Sequence, residues 1–469
     1  MAGMKVLLVG SGGREHAIGE ALRRSEAEVF VAAPTVNPGL HRLAREYRTL
    51  PVDDGEAITQ WAKACRVSLA VLGPDASVAA GVADNLRAAG IPTVGPGKDG
   101  ARMESSKAFA REFLDRHGIR ETPQFKIVKS PGEIEGALSS FAETGFVLKP
   151  SWLTAGKGVL VGGVDFQTPT EGRQLASQML AEGKGAPLVV EEKLDGEEFS
   201  LMAFVDGKHV YPMPLVKDYK RALDGDLGGN TGGMGSFSTR DHLLPYVSSA
   251  DRDTSVALLE RTVTALQKEG IDYRGILYAG FMMTRRGPLI LEFNARFGDP
   301  EALNVLTLYN GTDFAPLLLS LAEGNLNRTF LDFRLRASVV KYLVPPGYGS
   351  HPTSGGILEI DEAALARNAI SLYYGSVTPG PHPGSVVLGT SRAIALVAEA
   401  SALREALVRV EDGIRCVKGT FDLRHDIATA IDLKKRTSHM DTVRATTPTT
   451  PGGVANLTRS GPQPPSVFT

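Results

Sequence analysis

The stretch "LEFNARFGDPE", residues 291–301, begins like a strand and ends like a loop. Leu291 and Phe293 are apolar, and Glu292 and Asn294 are the polar residues that alternate with them. Successive strand side chains point to opposite faces, so Glu292 and Asn294 share one face. Arg296 follows two residues on, and Gly298, Asp299, Pro300 and Glu301 carry the chain through a turn. A carboxylate and a carboxamide oxygen on one face are hard ligands of the kind Mg²⁺ takes, the rest of its shell coming from phosphate and water. An arginine beside them can steady charge on a transferring phosphoryl group or an acyl phosphate. On these residues alone an ordinary Glu292–Arg296 ion pair is the simpler account, so the rest of the chain has to decide.

The chain has 469 residues, more than one ordinary core, and predicts two to four domains. Hydrophobic residues at 42% and charged residues at 22% fit a water-soluble globular protein. A formal net charge of -2 gives no reason to expect nucleic acid or a polybasic membrane contact. No apolar run reaches the ~18–20 residues of a membrane span. "MKVLLVG" is too short for a secretory h-region, and Cys65 and Cys416 are too few for a zinc framework, so a reducing cytoplasm is expected. The histidines show no metal-ligand spacing, and no Ser/His/Asp or Cys/His nucleophile arrangement emerges.

"KVLLVGSGGREHAIGEALRRS" reads as a buried strand, a glycine turn and a helix. Further strands at "EVFVAAP" and "LAVLGPD", with helical patterns at 56–65 and 77–89, predict a parallel α/β domain over 1–104. "ESSKAFAREFLDRHGI" predicts an amphipathic helix capped by Ser105 or Ser106. It opens a second unit, 105–330, in which about 122–193 forms a compact block fit to be a mobile lid. That block holds helical patterns at 131–142 and 171–182. Beyond it come long strands, a helix at 251–268, and "ILYAGFMMT" and "PLILEFNA". A small α+β domain is expected over 331–440, with a helix at 396–409. Residues 441–469 are rich in Thr, Pro, Gly and Ser and read as a disordered tail.

Three glycine clusters suggest backbone-mediated anion binding. "GSGGREHA" (10–17) joins the first strand to a helix, whose N-terminus offers free N–H groups. Gly10 and Gly12 fit a dinucleotide fingerprint, but Glu15 stands at its third position, and Arg14 and His16 suit a sugar phosphate better. "LTAGKGV" (153–159) lacks the spacing of a P-loop and lies between two strand patterns, as a flap over a nucleotide would. Lys149, inside "FVLKP", is costly to bury without an anion. "NTGGMGS" (230–236) follows the charged run holding Lys217, Asp218, Lys220 and Arg221. With Lys107, Lys149 and the 153–159 loop upstream, the Glu292/Asn294 pair makes sense as part of an ATP site.

The motifs "VGSGGREHAI", "GPDA", "SSKAFAREFL", "VLKPSWLTAGKGV", "EEKLDGEEFS", "KDYKRALDGDLGGNTGGMGS" and "LEFNARFGDPEA" resemble the ATP-grasp ligases, and within them the glycinamide ribonucleotide synthetase family. The resemblance runs from about residue 4 to about 430, and "RFGDPEALNVL" looks archaeal. It implies an N-terminal parallel α/β (pre-ATP-grasp) domain, an ATP-grasp domain with a lid, and a small C-terminal domain. It implies that ATP activates glycine as glycyl phosphate and that 5-phosphoribosylamine then displaces phosphate, a step of purine synthesis. Mg²⁺ or Mn²⁺ would be held by Glu292 and Asn294. Lys107, Lys149, Gly156, Lys157 and Gly158 would meet the nucleotide phosphates. Glu191, Glu192 and Leu194 would meet adenine, and Glu198 the ribose. Gly10, Gly12, Gly13, Arg14, Glu15, His16, Asp75 and Gly298 would line the substrate pocket, with Arg296, Asp299, Lys220 and Asp218 as catalytic residues.

The chain departs from bacterial members at Ser151 and Trp152 of the flap, at Lys217 and Tyr219 for Gln and His, and at Asp75 for Glu. Gly280 stands where some archaeal members carry a glutamine ligand. An ATP-grasp ligase acting on another amino acid or phosphosugar amine is therefore the alternative. An NAD-dependent oxidoreductase built on "GSGGREHA" and a non-catalytic nucleotide-binding regulator are remoter ones. Small molecules are the expected partners, with no nucleic acid and no membrane, and a monomer or homodimer is expected.

Overall fold

The computed structural model describes residues 3–154, 158–326 and 331–446. The N-terminal strand Lys5–Val9 has Val6 to Val9 fully buried, as a central parallel strand covered on both faces requires. It lies mid-sheet, in the order Glu46–Thr49, Glu28–Ala33, Lys5–Val9, Leu69–Leu72, Thr93–Val94, with all pairs parallel. The pattern at 77–89 breaks into two helices, Asp75–Ala79 and Val82–Ala88, because Gly81 sits at φ 80°. Ser106 caps the helix Lys107–Arg116, accepting from the Phe109 amide.

The block at 122–193 has a hydrophobic core of its own, around Val128, Leu148, Ala176 and Leu188. Its sheet runs Phe125–Val128, Leu188–Glu192, Phe146–Pro150, Leu160–Val161. Opposite it stands an antiparallel sheet in the order Val210–Pro212, Glu197–Asp206, Arg274–Thr284, Gly287–Asn294. Phe199 and Phe281, cross-strand partners, stack there with ring centroids 5.2 Å apart. The cleft between the two sheets is where the motif residues gather.

A boundary near residue 331 does not separate two sheets. One five-stranded sheet takes Lys217–Asp218 and Gly235–Ser238 from before it, and Ala337–Leu343, Ile394–Ala400 and Ile370–Tyr374 from after it. The helix expected at 396–409 is a correction. Ile394–Ala400 is a strand paired on both sides, and the helix is Leu403–Ile414. Alanine-rich "IALVAEA" has weak β preference, but two neighbouring strands decide its state. The tail expected from 441 is also corrected, since a helix Ala430–Ala445 runs through that point; residues 447–469 lie outside the described set. Among the described residues no helix is long and apolar enough to cross a membrane.

Ile370–Tyr374 is an edge strand, and the N-terminal domain closes part of its edge. The Tyr374 amide donates to His16 Nδ1 at 2.9 Å, and its carbonyl accepts from Asn37 Nδ2 at 2.7 Å. His16 is 4% exposed and stacks on the Tyr374 ring. Burial, with Arg42 nearby, pushes its pKa down to about 3. A depressed histidine pKa means that the unfolded chain binds a proton the folded chain refuses. Stability from His16 is therefore present above pH 6.5 and is lost as pH falls toward 3. Urea unfolding of the wild type should lose up to about 1.4 kcal/mol per pH unit from this group over that window. His16→Asn should show a shallower slope, and equal slopes would mean that His16 is not buried neutral.

Candidate active site

The strand Gly287–Asn294 pairs with Arg274–Thr284, with an irregularity at one point. Phe281 faces Ile290 and Gly280 faces Glu292, so Leu291 is the extra residue of a bulge. Its carbonyl does not go unsatisfied. Arg111 Nη2 donates to it at 2.6 Å and Lys149 Nζ at 3.2 Å. The bulge thus seats two cations beside the face that carries Glu292 and Asn294.

Lys220 reaches that face from the segment after Lys217–Asp218. Its Nζ lies 2.8 Å from Glu198, 3.8 Å from Glu292 and 3.9 Å from Asp218. Burial alone would raise the Glu292 carboxyl, but Lys220, Lys107 and Lys149 hold it below its ordinary value. Glu198 is likewise opposed by burial, yet Lys220 and Lys217 draw it down to about 2. The Lys107 pKa is lowered by burial against an opposing pull from Glu292, and among the described residues its ammonium has no carboxylate within ion-pair distance. Lys149 is 2.8 Å from Glu191, which also takes Arg111 at 2.7 Å. Breaking a pair as buried as Arg111–Glu191 costs about 3–5 kcal/mol. Ser151 joins the lid to the helix bearing Lys107, since its Oγ accepts from the Ala108 amide and its carbonyl from the Lys107 amide.

Arg296 belongs to the same cleft. Its Nη2 donates to Asn294 Oδ1 at 3.1 Å and pairs with Glu104 at 2.8 Å, and Glu104 in turn accepts from the Ala295 amide. Its buried Nε has no partner among the described residues, a donor available to an anion. Asp75 is close enough to Arg296 and Glu104 to shift both. Arg14 bridges the N-terminal turn to this loop, with Nη1 on the Phe297 carbonyl and Nε on Glu15. Asp299 accepts from the Tyr342 hydroxyl at 2.6 Å and pairs with Arg392 at 3.2 Å. Gly13 lies so close that a Cβ there would overlap the Tyr342 hydroxyl, and Gly12 lies beside Asp299. Glu301 is buried against the Tyr278 hydroxyl, and burial beside Asp218 raises its pKa to about 7.

The structure thus brings together Lys107, Lys149, Glu191, Glu198, Asp218, Lys220, Glu292, Asn294 and Arg296. Gly12, Gly13 and Arg14 at the N-terminal turn, Asp75 at the start of the helix Asp75–Ala79, and Gly298 and Asp299 in the loop after Asn294 adjoin them. Two expected pocket residues have other employment. Glu15 accepts from the Gly12 amide at 2.6 Å, closing the helix start, and sits under Gly10. His16 is enclosed against Tyr374. Glu192 pairs with Arg286, and its amide donates to the Gln124 carbonyl, so it stitches the lid's base; Leu194 lies half-buried in the turn beyond. Gly156 and Lys157 lie outside the described residues, and Gly158 packs closely on Pro150 and Thr154. The sequence reading missed Glu104, Arg111, Tyr342 and Arg392. Only Arg111, an arginine on the apolar side of a helix otherwise marked Phe109, Phe113 and Leu114, left a visible trace.

A divalent cation fits this donor set. Glu292 is held ionised and Asn294 offers a carboxamide oxygen, both hard ligands. Among the described residues no group of three His, Cys, Asp or Glu could hold a metal ion, and a magnesium site of one or two carboxylates ordinarily completes its shell with phosphate and water. Gly280 stands opposite Glu292 in the sheet and has no side chain to offer as a ligand.

The family model for the N domain of phosphoribosylglycinamide synthetase matches residues 4–104, and that for its ATP-grasp domain matches 105–302. The chain belongs to the phosphoribosylglycinamide synthetase family. It is 43% identical to a phosphoribosylamine–glycine ligase of Methanocella arvoryzae over 94% of this chain and 100% of that protein. It is 42% identical to one of Pyrococcus abyssi over 92% of this chain and 96% of that protein. The crystal structure of a phosphoribosylamine–glycine ligase from Thermotoga maritima superposes with a TM-score of 0.76 at 30% identity, covering 90% of this chain and 100% of that one. A biotin carboxylase domain from Hydrogenobacter thermophilus shares the fold at a TM-score of 0.68 and 15% identity, covering 90% of this chain and 91% of that one. For a family member with this cleft, Glu292→Ala should lower turnover by about a hundredfold or more. Its melting temperature should stay near that of the wild type, and retained turnover would remove Glu292 from the site. Lys149→Met should weaken ATP binding about tenfold in a calorimetric titration. Unchanged affinity would mean that Lys149 serves only Glu191.

Proposed function

We propose that the chain joins glycine to 5-phosphoribosylamine with ATP, giving glycinamide ribonucleotide, ADP and phosphate. The observation that carries this reading is the convergence of Lys107, Lys149 and Lys220 on Glu292 where lid and antiparallel sheet meet, in a family of such ligases. Glycine's carboxylate attacks the terminal phosphate and becomes an acyl phosphate. The amine then attacks the acyl carbon and phosphate leaves. No covalent enzyme nucleophile is needed, so the chain contributes position and charge.

Lys107 and Lys149, with the 153–159 flap, take the nucleotide phosphates, and Glu198 takes the ribose. Glu292 and Asn294 hold Mg²⁺ or Mn²⁺, which when bound draws charge off the phosphates. Arg296, with Nε unpartnered, and Lys220 offset charge on the transferred group. Lys220 is already flanked by three carboxylates, so ligand entry exchanges partners rather than creating a new buried charge. Asp218 keeps Lys220 in register. Arg14, Asp75, Asp299 and the glycines of the N-terminal turn line the amine's pocket. The lid excludes water from the acyl phosphate, which hydrolyses readily. The partners are small molecules in the cytoplasm, and the chain acts as a monomer or homodimer.

A coupled assay with freshly generated phosphoribosylamine tests the reading. ADP release should require both glycine and the amine for sustained turnover, and alanine or serine should not replace glycine. Release that follows another amino acid would point to a different carboxylate substrate.

A further inference from the structure

Glu197 and Glu198 are neighbours on one strand and so face opposite ways. Glu198 meets Lys220 in the cleft. Glu197 turns to the rear, where its oxygens meet Arg436 Nη1 and His439 Nδ1, each at 2.8 Å, from the helix Ala430–Ala445. The segment 217–220 repeats the arrangement. Asp218 and Lys220 approach each other in the cleft, whereas Tyr219, 1% exposed, faces back. The Tyr219 ring lies 4.8 Å from the Arg424 guanidinium and 5.0 Å from that of Arg436, and its hydroxyl donates to Asp432.

Arg436 ties these pieces to one another. Besides Glu197, its Nη2 meets Asp226 at 3.0 Å and its Nε meets Asp432 at 2.9 Å. One planar guanidinium thus spans a strand, the hairpin loop after Arg221 and the C-terminal helix. A lysine could not reproduce that fork. A side chain that fixes the rear of a strand fixes the direction of its front as well.

We propose that Arg436 is a positioning residue for the nucleotide site. From behind, it sets where Glu198, Asp218 and Lys220 stand, and so how tightly ATP is held. The inference rests on the reading of this cleft as the ATP site. It also gives Tyr219 a purpose, as the aromatic face on which Arg436 and Arg424 settle.

A purely structural role would be to dock the helix. Met440, fully buried on the same helix, docks it without polar contact to Glu197. The test is a calorimetric titration of the full chain with Mg²⁺ and ATP, beside melting temperatures and steady-state kinetics, for wild type, Arg436→Met and Met440→Ala. Arg436→Met should weaken ATP binding about 10–100-fold and raise the KM for ATP, leaving that for phosphoribosylamine within about twofold. Met440→Ala should lower the melting temperature comparably yet hold ATP affinity within about twofold of wild type. Loss of affinity in step with loss of melting temperature in both variants would overturn the inference. Should Arg436→Met fail to fold, Tyr219→Phe keeps the ring and removes the hydroxyl, with its bond to Asp432 and the one it accepts from the Ala428 amide. A loss of about threefold or more in ATP affinity supports the positioning role, and unchanged affinity overturns it. Failure of the wild type to bind ATP would instead overturn the nucleotide reading of the cleft.

Discussion

Charge buried without water must find a partner, and the cleft between lid and antiparallel sheet is arranged around that demand. Lys220 is flanked by Glu198, Asp218 and Glu292, and Lys149 and Arg111 share Glu191. The pairing keeps Glu292 and Glu198 ionised and Lys220 charged where burial would otherwise discharge them. The resulting cluster is close to balanced. A triphosphate with its cation can therefore enter by exchanging partners with groups already in place. Lys107, without a carboxylate in range among the described residues, and the unpartnered Arg296 Nε are the donors such a ligand would meet first.

Holding the cluster takes elements from the whole chain. The bulge at Leu291 turns one carbonyl toward Lys149 and Arg111. Glu104, at the end of the helix Lys98–Ser105, aims Arg296. Arg392 reaches from the strand region after residue 390 to Asp299 and the Gly232 carbonyl. His16 and Asn37 close the edge at Tyr374. The shared five-stranded sheet means that the C-terminal region completes the site's framework instead of decorating it.

Much of this was legible in the chain, for reasons that differ by residue. Period-two alternation alone placed Glu292 and Asn294 on one face, and glycine spacing marked the turns at Gly10–Gly13 and at Thr231–Met234. The bulge was not legible, because it depends on pairing with Gly280 and Phe281. Glu104, Arg111, Tyr342 and Arg392 act on residues remote in sequence, and local pattern carries no record of such contacts. Glu15 and His16 were drawn into the pocket by their neighbouring glycines, yet helix phase turns both inward. The three-residue spacing from Gly12 to Glu15 was the available hint of a helix cap. Alanine-rich "IALVAEA" read as helix, and only its neighbours make it a strand. The motif departures became intelligible at the same level. Ser151 fastens the lid to the Lys107 helix, and Tyr219 carries two guanidinium groups.

The most direct measurement is anomalous diffraction from crystals grown with Mn²⁺ and a non-hydrolysable ATP analogue. The account predicts a manganese peak bound by the Glu292 carboxylate and the Asn294 carboxamide oxygen, with the phosphates against Lys107 and Lys149. A peak elsewhere, with Glu292 still turned to Lys220, would contradict it.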